Sequence, residues 1–150
     1  MAADQIEREV RIAAPVERVW ALVTEPEHVG RWFGDAGAEI DLHPGGAMTL
    51  TWAEHGTTRC VVERVEPPHR FSYRWMLAGG EGAPTEGNST LVEFSLRADG
   101  DETLLKVVER GFATLAIPEE ERVRHHAGNV EGWRMELDEL VAYARQPAAR

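Results

Sequence analysis

One carboxylate, Glu109, stands where the sequence could place acid–base chemistry. It follows Leu105 and Val107 at alternate positions of a predicted strand, so the three side chains should share the inward face. Burial would raise the pKa of this carboxyl group and would require a partner. The candidate partners are Arg134, His126 and Tyr73 in the interior, and Arg110 and Arg122 if the strand ends in solvent. An interior carboxyl would anchor a ligand or transfer protons, whereas one in solvent would form an ordinary ion pair.

Two adjacent histidines lie on a predicted helix, and His126 falls on its apolar side. Adjacent helical residues diverge by about 100°, so His125 should point away and the pair lacks metal-binding spacing. The other histidines stand singly in or near turns: His28, His43, His55 and His69. We therefore expect neither a metal site nor a cofactor. His126 is a candidate catalyst or ligand anchor, and the alternative is a histidine satisfied within the core.

Aromatic residues form the second chemical group. The positions expected to face the concave side of the sheet, or its covering helix, are Trp52, Phe71, Tyr73, Trp75, Phe94 and Trp133. The chain has five Trp, a type that is rarely buried completely because its N–H needs a partner. Rigid aromatic walls with few polar groups are typical of apolar ligand pockets. The alternative is that these rings simply fill the core.

A glycine-rich segment from Leu77 to Ser89 separates two predicted strands. Glycine permits the backbone changes that a lid requires, although the segment could equally be a loop without a role. Its spacing imitates a phosphate-binding loop, but Asn88 stands where the lysine is needed. The serines also lack the glycine elbow of a serine nucleophile, which argues against covalent hydrolysis.

These residues need a sheet and a long helix to position them. Ile6 to Ile12 predicts a strand, and two short helices follow, beginning at Pro15 and Pro26. Alternation between Glu39 and Phe112 predicts about six antiparallel strands. A long helix is predicted from Pro118 to Ala144, with an inward stripe of Val123, His126, Val130, Trp133, Leu137, Leu140, Val141 and Ala144. Strands followed by a segregated helix are typical of an α+β fold.

Length and charge narrow the classes of function. The 150 residues suit one domain, 1–150, with a core of about 6–145. A net charge of −10 argues against nucleic acid as a partner. The sequence has neither a signal-like apolar run nor about 20 consecutive apolar residues, so we expect a cytoplasmic protein without membrane insertion. The single cysteine, Cys60, should be a half-buried thiol in a strand, and both monomer and homodimer remain open.

Short motifs spread over the chain resemble a known superfamily. They are Ala14–Trp20 with Trp32, Pro44–Gly46, Val65–Pro68 with Phe71–Trp75, Thr103–Leu105, Gly111 and Phe112, and Gly132 and Trp133 with Leu137 and Leu140. In order and spacing they resemble the START-like, helix-grip superfamily (the SRPBCC group), which has the fold of the birch-pollen allergen. Within it the chain is similar to the branch named after the activator of the heat-shock protein 90 ATPase. The resemblance implies a curved antiparallel sheet of six to seven strands under a long C-terminal helix.

The superfamily includes lipid and hormone carriers, aromatic polyketide cyclases and proteins of antibiotic self-resistance. We therefore expect a hydrophobic or aromatic small molecule to bind between the sheet and the last helix. The expected walls are Trp52, Tyr73, Trp75, Phe94 and Trp133, and the expected polar anchors are Glu109, His126 and Arg134. The alternatives are a cyclase or dehydratase that uses Glu109 or His126, sequestration of a natural product in self-resistance, a protein-interaction module, and activation of a chaperone ATPase.

Overall fold

Seven strands and three helices form the computed structural model, which describes residues 4–54, 56–77 and 82–146. The strands are β1 (Gln5–Ile12), β2 (Ala38–Ile40), β3 (Ala47–Trp52), β4 (Gly56–Glu66), β5 (Arg70–Met76), β6 (Ser89–Asp99) and β7 (Glu102–Arg110). The helices are α1 (Val16–Thr24), α2 (Pro26–Trp32) and α3 (Glu119–Ala144), with a 3-10 turn at Phe112–Thr114. This is the predicted order, except that Pro15 and Pro118 precede their helices as N-cap residues.

All seven strands belong to one antiparallel sheet in the order β1-β7-β6-β5-β4-β3-β2. Strands β2 to β7 follow one another as a meander, and β1 closes the far edge by pairing with β7. The register shifts between Val62 and Arg64 of β4, and such an irregularity bends a strand and increases its twist. The α+β helix-grip architecture expected from the sequence is therefore confirmed.

The inward face of the sheet carries a continuous row of buried side chains. Cross-strand pairing places Val62 opposite Tyr73, Tyr73 opposite Val92, and Val92 opposite Glu109. Ile6 of β1 completes the row on the other side of Glu109. Each member of the row is less than a tenth exposed. The predicted alternation is thus correct, and it puts one carboxyl group among apolar neighbours.

Helix α3 crosses this face and buries Trp133, Leu137, Leu140 and Ala144. The prediction that Val123 belongs to its inward stripe is wrong, because Val123 is 45% exposed. The inward side of the first turn is taken by Arg122, whose guanidinium donates to the carbonyl groups of Leu115 and Ile117. No helix among the described residues combines the length and the hydropathy that a bilayer crossing requires.

The end of α2 is pressed against β3. A Cβ atom on Gly34 would lie 3.0 Å from the carbonyl oxygen of Thr51 and 2.8 Å from that of Gly37, so a larger residue would force the segments apart. Ala36 N–H donates to the same Thr51 carbonyl at 2.9 Å. This close approach carries Phe33 to the edge of the core beside β3.

Candidate functional site between the sheet and helix α3

Glu109 is the polar centre of the interior and is 1% exposed. Its Oε2 accepts a hydrogen bond of 2.5 Å from the Thr90 hydroxyl on β6. Its Oε1 accepts one of 2.8 Å from the Trp133 indole on α3. The Asn129 amide, one helical turn before Trp133, lies 3.0 Å from Oε1 and 3.1 Å from Oε2. Three neutral donors on two elements therefore hold this carboxyl group.

Burial raises the pKa of Glu109, and the hydrogen bonds from Thr90, Trp133 and Asn129 offset part of that rise. Since all three are donors, they favour the carboxylate over the acid. The positive charge of His126 acts in the same direction at longer range. The carboxyl group is thus stabilised by dipoles, and no Arg or Lys among the described residues contacts it.

The partners expected for Glu109 were wrong. Arg134 is half-exposed and pairs with Glu131 and Asp138 along the outer side of α3. His126 instead places Nε2 3.1 Å from the carbonyl oxygen of Gln5. Arg110 pairs with Glu93 across β7 and β6 at 2.7 Å, and Arg122 pairs with Glu119 in the first turn of α3 at 2.6 Å. The partners in the structure are instead an amide, a hydroxyl and an indole, those of Asn129, Thr90 and Trp133.

The Tyr73 hydroxyl is fully buried and has no hydrogen-bond partner among the described residues. Desolvation raises its pKa, and the nearby Cys60 and Glu109 raise it further. Its ring packs between Phe71 and Phe94, with centroids at 5.6 Å and 6.2 Å. Leaving a buried hydroxyl unpaired costs about 1–3 kcal/mol. This group is therefore available to a partner that is not part of the described protein.

Five aromatic rings pack against one another between the sheet and α3: Phe33, Trp52, Trp75, Phe94 and Trp133. We call them the aromatic cluster. Trp133 stacks on Phe33 at 5.2 Å and meets Trp75 and Phe94 edge to face at 6.0 Å. The predicted wall residues are thus brought together, with Tyr73 beside Phe94. These rings pack against one another, and the ligand pocket expected between the sheet and α3 remains a prediction.

The aromatic cluster reaches solvent at one end, where Trp52 and Trp75 are half-buried and stack at 6.0 Å. Glu136 of α3 lies near Trp52, at this outer end. Partial burial raises the pKa of Glu136 to about 7, helped by the negative charges of Glu139 and Asp35. The aromatic cluster therefore has a buried polar end at Glu109 and Tyr73 and an acidic end at Glu136.

Both helical histidines pack on the 3-10 turn. The ring of Phe112 lies 5.0 Å from that of His126 and 5.6 Å from that of His125. The prediction that His125 points away was wrong, because its ring also packs against Phe112. Burial, together with the charge of His126, lowers the pKa of His125. Their place beside the turn separates the two imidazoles from the aromatic cluster.

A depression lies between α2 and α3 on the outside of the molecule. Its volume is about 410 Å³, and its lining includes Asp35, Glu139 and Tyr143. Near it, side-chain ligand atoms of Glu25, Glu27 and His28 lie within 4.8 Å of one another. His28 Nδ1 is also 2.8 Å from the Tyr143 hydroxyl. These carboxylates are exposed, as acidic groups without a metal commonly are, and they give no reason to assign an ion.

The predicted lid from Leu77 to Ser89 falls partly outside the described residues, which resume at Gly82. The described part of the segment is held near the 3-10 turn by two hydrogen bonds to its backbone. Ala116 N–H donates to the carbonyl oxygen of Gly87 at 2.7 Å, and the Thr114 hydroxyl donates to the carbonyl oxygen of Glu86 at 3.1 Å. Asn88 accepts from Thr85 N–H at 2.7 Å, a local turn rather than a phosphate-binding loop. Whether the segment acts as a lid stays a prediction.

Four residues of the site were not among the predicted ones: Phe33, Thr90, Asn129 and Glu136. Asn129 and Glu136 stand four residues before and three residues after Trp133, so helical spacing could have placed both on its face. Thr90 shares the inward alternation of Val92 and Phe94. Neither helical spacing nor strand alternation could have predicted Phe33 as a site residue, because its position depends on how α2 packs against β3.

The fold is shared with several solved structures. A protein from Mesorhizobium loti aligns over 95% of this chain and 99% of its own, with a TM-score of 0.76 and 21% identity. An HSP90 activator from Plasmodium falciparum aligns over 97% and 99%, with a TM-score of 0.74 and 18% identity. CalU16 from Micromonospora echinospora aligns over 96% and 76%, with a TM-score of 0.71 and 29% identity. The first two show similarity of fold alone.

No curated protein matches the sequence significantly. Residues 13–145, by contrast, match the family described as activator of Hsp90 ATPase homolog 1-like protein. That range runs from the end of β1 through α3 and so includes the aromatic cluster, Glu109 and Tyr73. On this match and on the shared fold, the chain belongs to the family of activator of Hsp90 ATPase homolog 1-like proteins.

Proposed function

We propose that the protein binds a hydrophobic or aromatic small molecule between the sheet and α3, against the aromatic cluster. The observation that carries the proposal is the Tyr73 hydroxyl, which is fully buried and unpaired beside Glu109. A bound molecule with a hydrogen-bonding oxygen or nitrogen would relieve that cost, while the rings would bury its apolar body. Burial would contribute roughly 25 cal/mol per Å² of apolar surface, before the costs of ordering.

Entry of the ligand requires the rings to separate. Trp75 and Trp133 meet edge to face at 6.0 Å, and Trp75 is half-buried. A molecule that enters at the outer end would therefore push between β5 and α3. The middle of α3 contains Gly128 and Gly132, which weaken a helix by about 1 kcal/mol each relative to alanine. The part of α3 that must move is thus the part with the lowest helix propensity.

The geometry favours binding over proton transfer. Both oxygens of Glu109 accept hydrogen bonds, from Thr90, Asn129 and Trp133, which leaves this group poorly placed to take a proton from a ligand. His126 is engaged with the Gln5 carbonyl group. The cyclase or dehydratase alternative would need both contacts to break. Sequestration of a natural product would use the same aromatic cluster and is a special case of the proposal.

Native mass spectrometry of protein purified gently from its own cells tests the proposal. We expect a retained small molecule, and we expect Tyr73→Phe to retain less of it than Tyr143→Phe. Tyr143 is a suitable control because its hydroxyl pairs with His28 between α2 and α3, away from the aromatic cluster. In parallel, the neutral dye N-phenylnaphthylamine should bind with increased fluorescence. Protein that carries no added mass and fails to bind the dye would refute the proposal.

A further inference from the structure

The depression between α2 and α3 is large enough to hold a small molecule. Its volume of about 410 Å³ falls within the range of about 300–1,000 Å³ that is usual for small-molecule sites. Three charged side chains belong to its lining, those of Arg31, Asp35 and Glu139. None of its lining residues belongs to the aromatic cluster, so a ligand bound here would be separate from the one proposed above.

Two contacts fix the walls of this depression. Tyr143 of α3 is held to α2, because its hydroxyl lies 2.8 Å from Nδ1 of His28. Gly30 of α2 also lines the depression, and a Cβ atom there would lie 3.0 Å from the Cα atom of Gly37. The missing side chain thus lets α2 lie directly against the segment that follows it. The lining residues therefore belong to elements whose relative positions are set by packing.

The charged groups of the lining do not neutralise one another. Arg31 forms no ion pair or side-chain hydrogen bond with a described residue, and neither does Glu139, although both line the same space. Asp35 uses one carboxylate oxygen, because its Oδ1 accepts from Ala53 N–H at 2.8 Å, and its Oδ2 has no partner in the described part of the chain. One cation and two anions therefore line a single hollow, farther apart than ion-pair distance.

This set of charges fits a ligand that carries the opposite set. A guanidinium group binds a carboxylate through two parallel hydrogen bonds, and a carboxylate binds an ammonium group by a charge-assisted hydrogen bond. With one guanidinium and two carboxylates, the lining has one negative charge in excess. The matching ligand has one carboxylate and two ammonium groups. Basic amino acids such as lysine and ornithine have these three groups on a short, flexible chain.

We infer that the depression between α2 and α3 binds a free basic amino acid, at a site independent of the aromatic cluster. The carboxylate of the ligand pairs with Arg31, and its two ammonium groups pair with Asp35 and Glu139. Tyr143 contributes only to the wall, since its hydroxyl is engaged by His28. Because the three charged residues are exposed, each pair adds only a few-fold to the affinity, and the combination of the three gives the selectivity.

Titration of isotope-labelled protein with lysine, followed by NMR, tests the inference, because it locates the ligand as well as measuring its affinity. Lysine should shift the backbone amide of Gly30 and the side-chain amide of Gln146, which line the depression. The indole N–H signal of Trp133, in the aromatic cluster, should not move. Norleucine lacks only the side-chain ammonium group and should bind about fivefold more weakly than lysine at low salt and neutral pH.

A substitution of Arg31 tests the carboxylate contact. Arg31→Gln should weaken lysine binding about fivefold without weakening the binding of cadaverine, which has both ammonium groups of lysine but no carboxylate. Arg124→Gln removes a cation from an exposed residue of α3 outside the lining and should change neither affinity. Equal loss of lysine and cadaverine binding on Arg31→Gln would contradict the assigned role of Arg31 and overturn the inference.

A matched pair of substitutions on α3 separates the site from the general negative charge. Glu139→Gln should reduce the preference for lysine over norleucine to about twofold or less. Asp138→Asn removes a charge from the adjacent residue, which lies near Arg134, and should preserve the preference. Equal binding of lysine and norleucine by the wild type would overturn the inference, and so would the absence of saturable shifts at Gly30 and Gln146. The proposed function is tested separately, since Tyr73 and the aromatic cluster are not part of this site.

Discussion

The indole N–H of Trp133 donates a hydrogen bond of 2.8 Å to Oε1 of Glu109, and this contact fastens the middle of α3 to β7. Both side chains are almost completely buried, at 2% and 1% exposure. Because both groups are shielded from water, neither can exchange this hydrogen bond for one to water unless the structure changes. Trp133 also stacks on Phe33, so one side chain serves both the polar and the aromatic part of the site.

Trp133→Phe should lower the free energy of unfolding by about 2–4 kcal/mol. The variant keeps an aromatic ring but loses volume and leaves Oε1 of Glu109 short of a donor. Urea denaturation followed by circular dichroism measures the change. Met135→Ala, at an exposed position of the same helix, is the control and should change stability by less than about 0.5 kcal/mol. A Trp133→Phe loss as small as that of the control would contradict the role of this contact.

The two tyrosines of the chain give opposite expectations when their hydroxyl groups are removed. Tyr73→Phe should leave the ligand-free protein as stable as the wild type, or more stable by up to about 1 kcal/mol, because an unpaired buried hydroxyl is lost. Tyr143→Phe should cost about 0.5–1.5 kcal/mol, because its hydroxyl pairs with His28. Thermal and chemical unfolding of the ligand-free variants decide the matter. A clear loss on Tyr73→Phe would mean that its hydroxyl has a partner in the free protein.

Stability should depend on pH through Glu136, whose pKa rises from 4.5 to about 7 on folding. A carboxyl group with a raised folded-state pKa stabilises when protonated. Its contribution is therefore complete below pH 4.5 and is lost as the pH rises through about 7. Glu136→Gln stays neutral, so its stability relative to the wild type should increase between pH 5 and pH 8. After allowance for solvent screening, we expect a gain on the order of 1 kcal/mol.

Denaturation in urea at both pH values measures that difference. Asp138→Asn, which removes a carboxylate from the exposed side of α3, should show a constant difference from the wild type. If Glu136→Gln behaves in the same way as this control, Glu136 does not titrate near neutrality.

The thiol of Cys60 should be protected in the folded protein. It is buried on β4, and burial raises the pKa of the thiol, so little reactive thiolate forms at pH 8. We expect its reaction with Ellman's reagent to be more than about a hundredfold slower in native buffer than in denaturant. Reaction at similar rates in the two conditions would show that the core around Cys60 and Tyr73 opens readily.

Replacing Gly34 and Gly128 by alanine should change the stability of the protein in opposite directions. Gly34→Ala should destabilise the protein, since the new Cβ would lie 2.8 Å from the carbonyl oxygen of Gly37 and 3.0 Å from that of Thr51 on β3. Gly128→Ala meets nothing within 4 Å and should stabilise α3 by about 0.5–1 kcal/mol. Differential scanning calorimetry of both variants tests the pair. Because Phe33 adjoins Gly34, Gly34→Ala should also reduce binding of N-phenylnaphthylamine, and unchanged binding would show that the aromatic cluster does not depend on this approach.

The alternation of residue types was sufficient to predict the inward face of the sheet. Phe94 on β6 and Glu109 on β7 follow a period of two among apolar neighbours, and the structure buries both. The same reasoning placed Trp133 and Leu137 on the inward side of α3. Local periodicity decides these orientations, because a strand or helix with one apolar face must turn that face inward.

The contacts between elements were not predictable in this way. Arg134 was expected near Glu109 because its charge is complementary, but Arg134 pairs with Glu131 on the exposed side of α3. The true partners of Glu109 are two neutral donors on α3 and one on β6, chosen by how the helix crosses the sheet. The prediction that Val123 faces inward was wrong for a related reason, since Arg122 occupies the inward side of the first turn of α3.

The sequence by itself determined the order of the elements, the helix-grip fold and the inward orientation of Glu109 and the aromatic residues. Only the tertiary structure decided that Phe33 joins Trp52 and Trp75, that Glu136 lies near Trp52, and that the Tyr73 hydroxyl is left unpaired among the described residues. The physical reason is that periodicity is a property of neighbouring residues along the chain. Hydrogen bonds and ring contacts between elements depend on the angle and distance at which those elements pack.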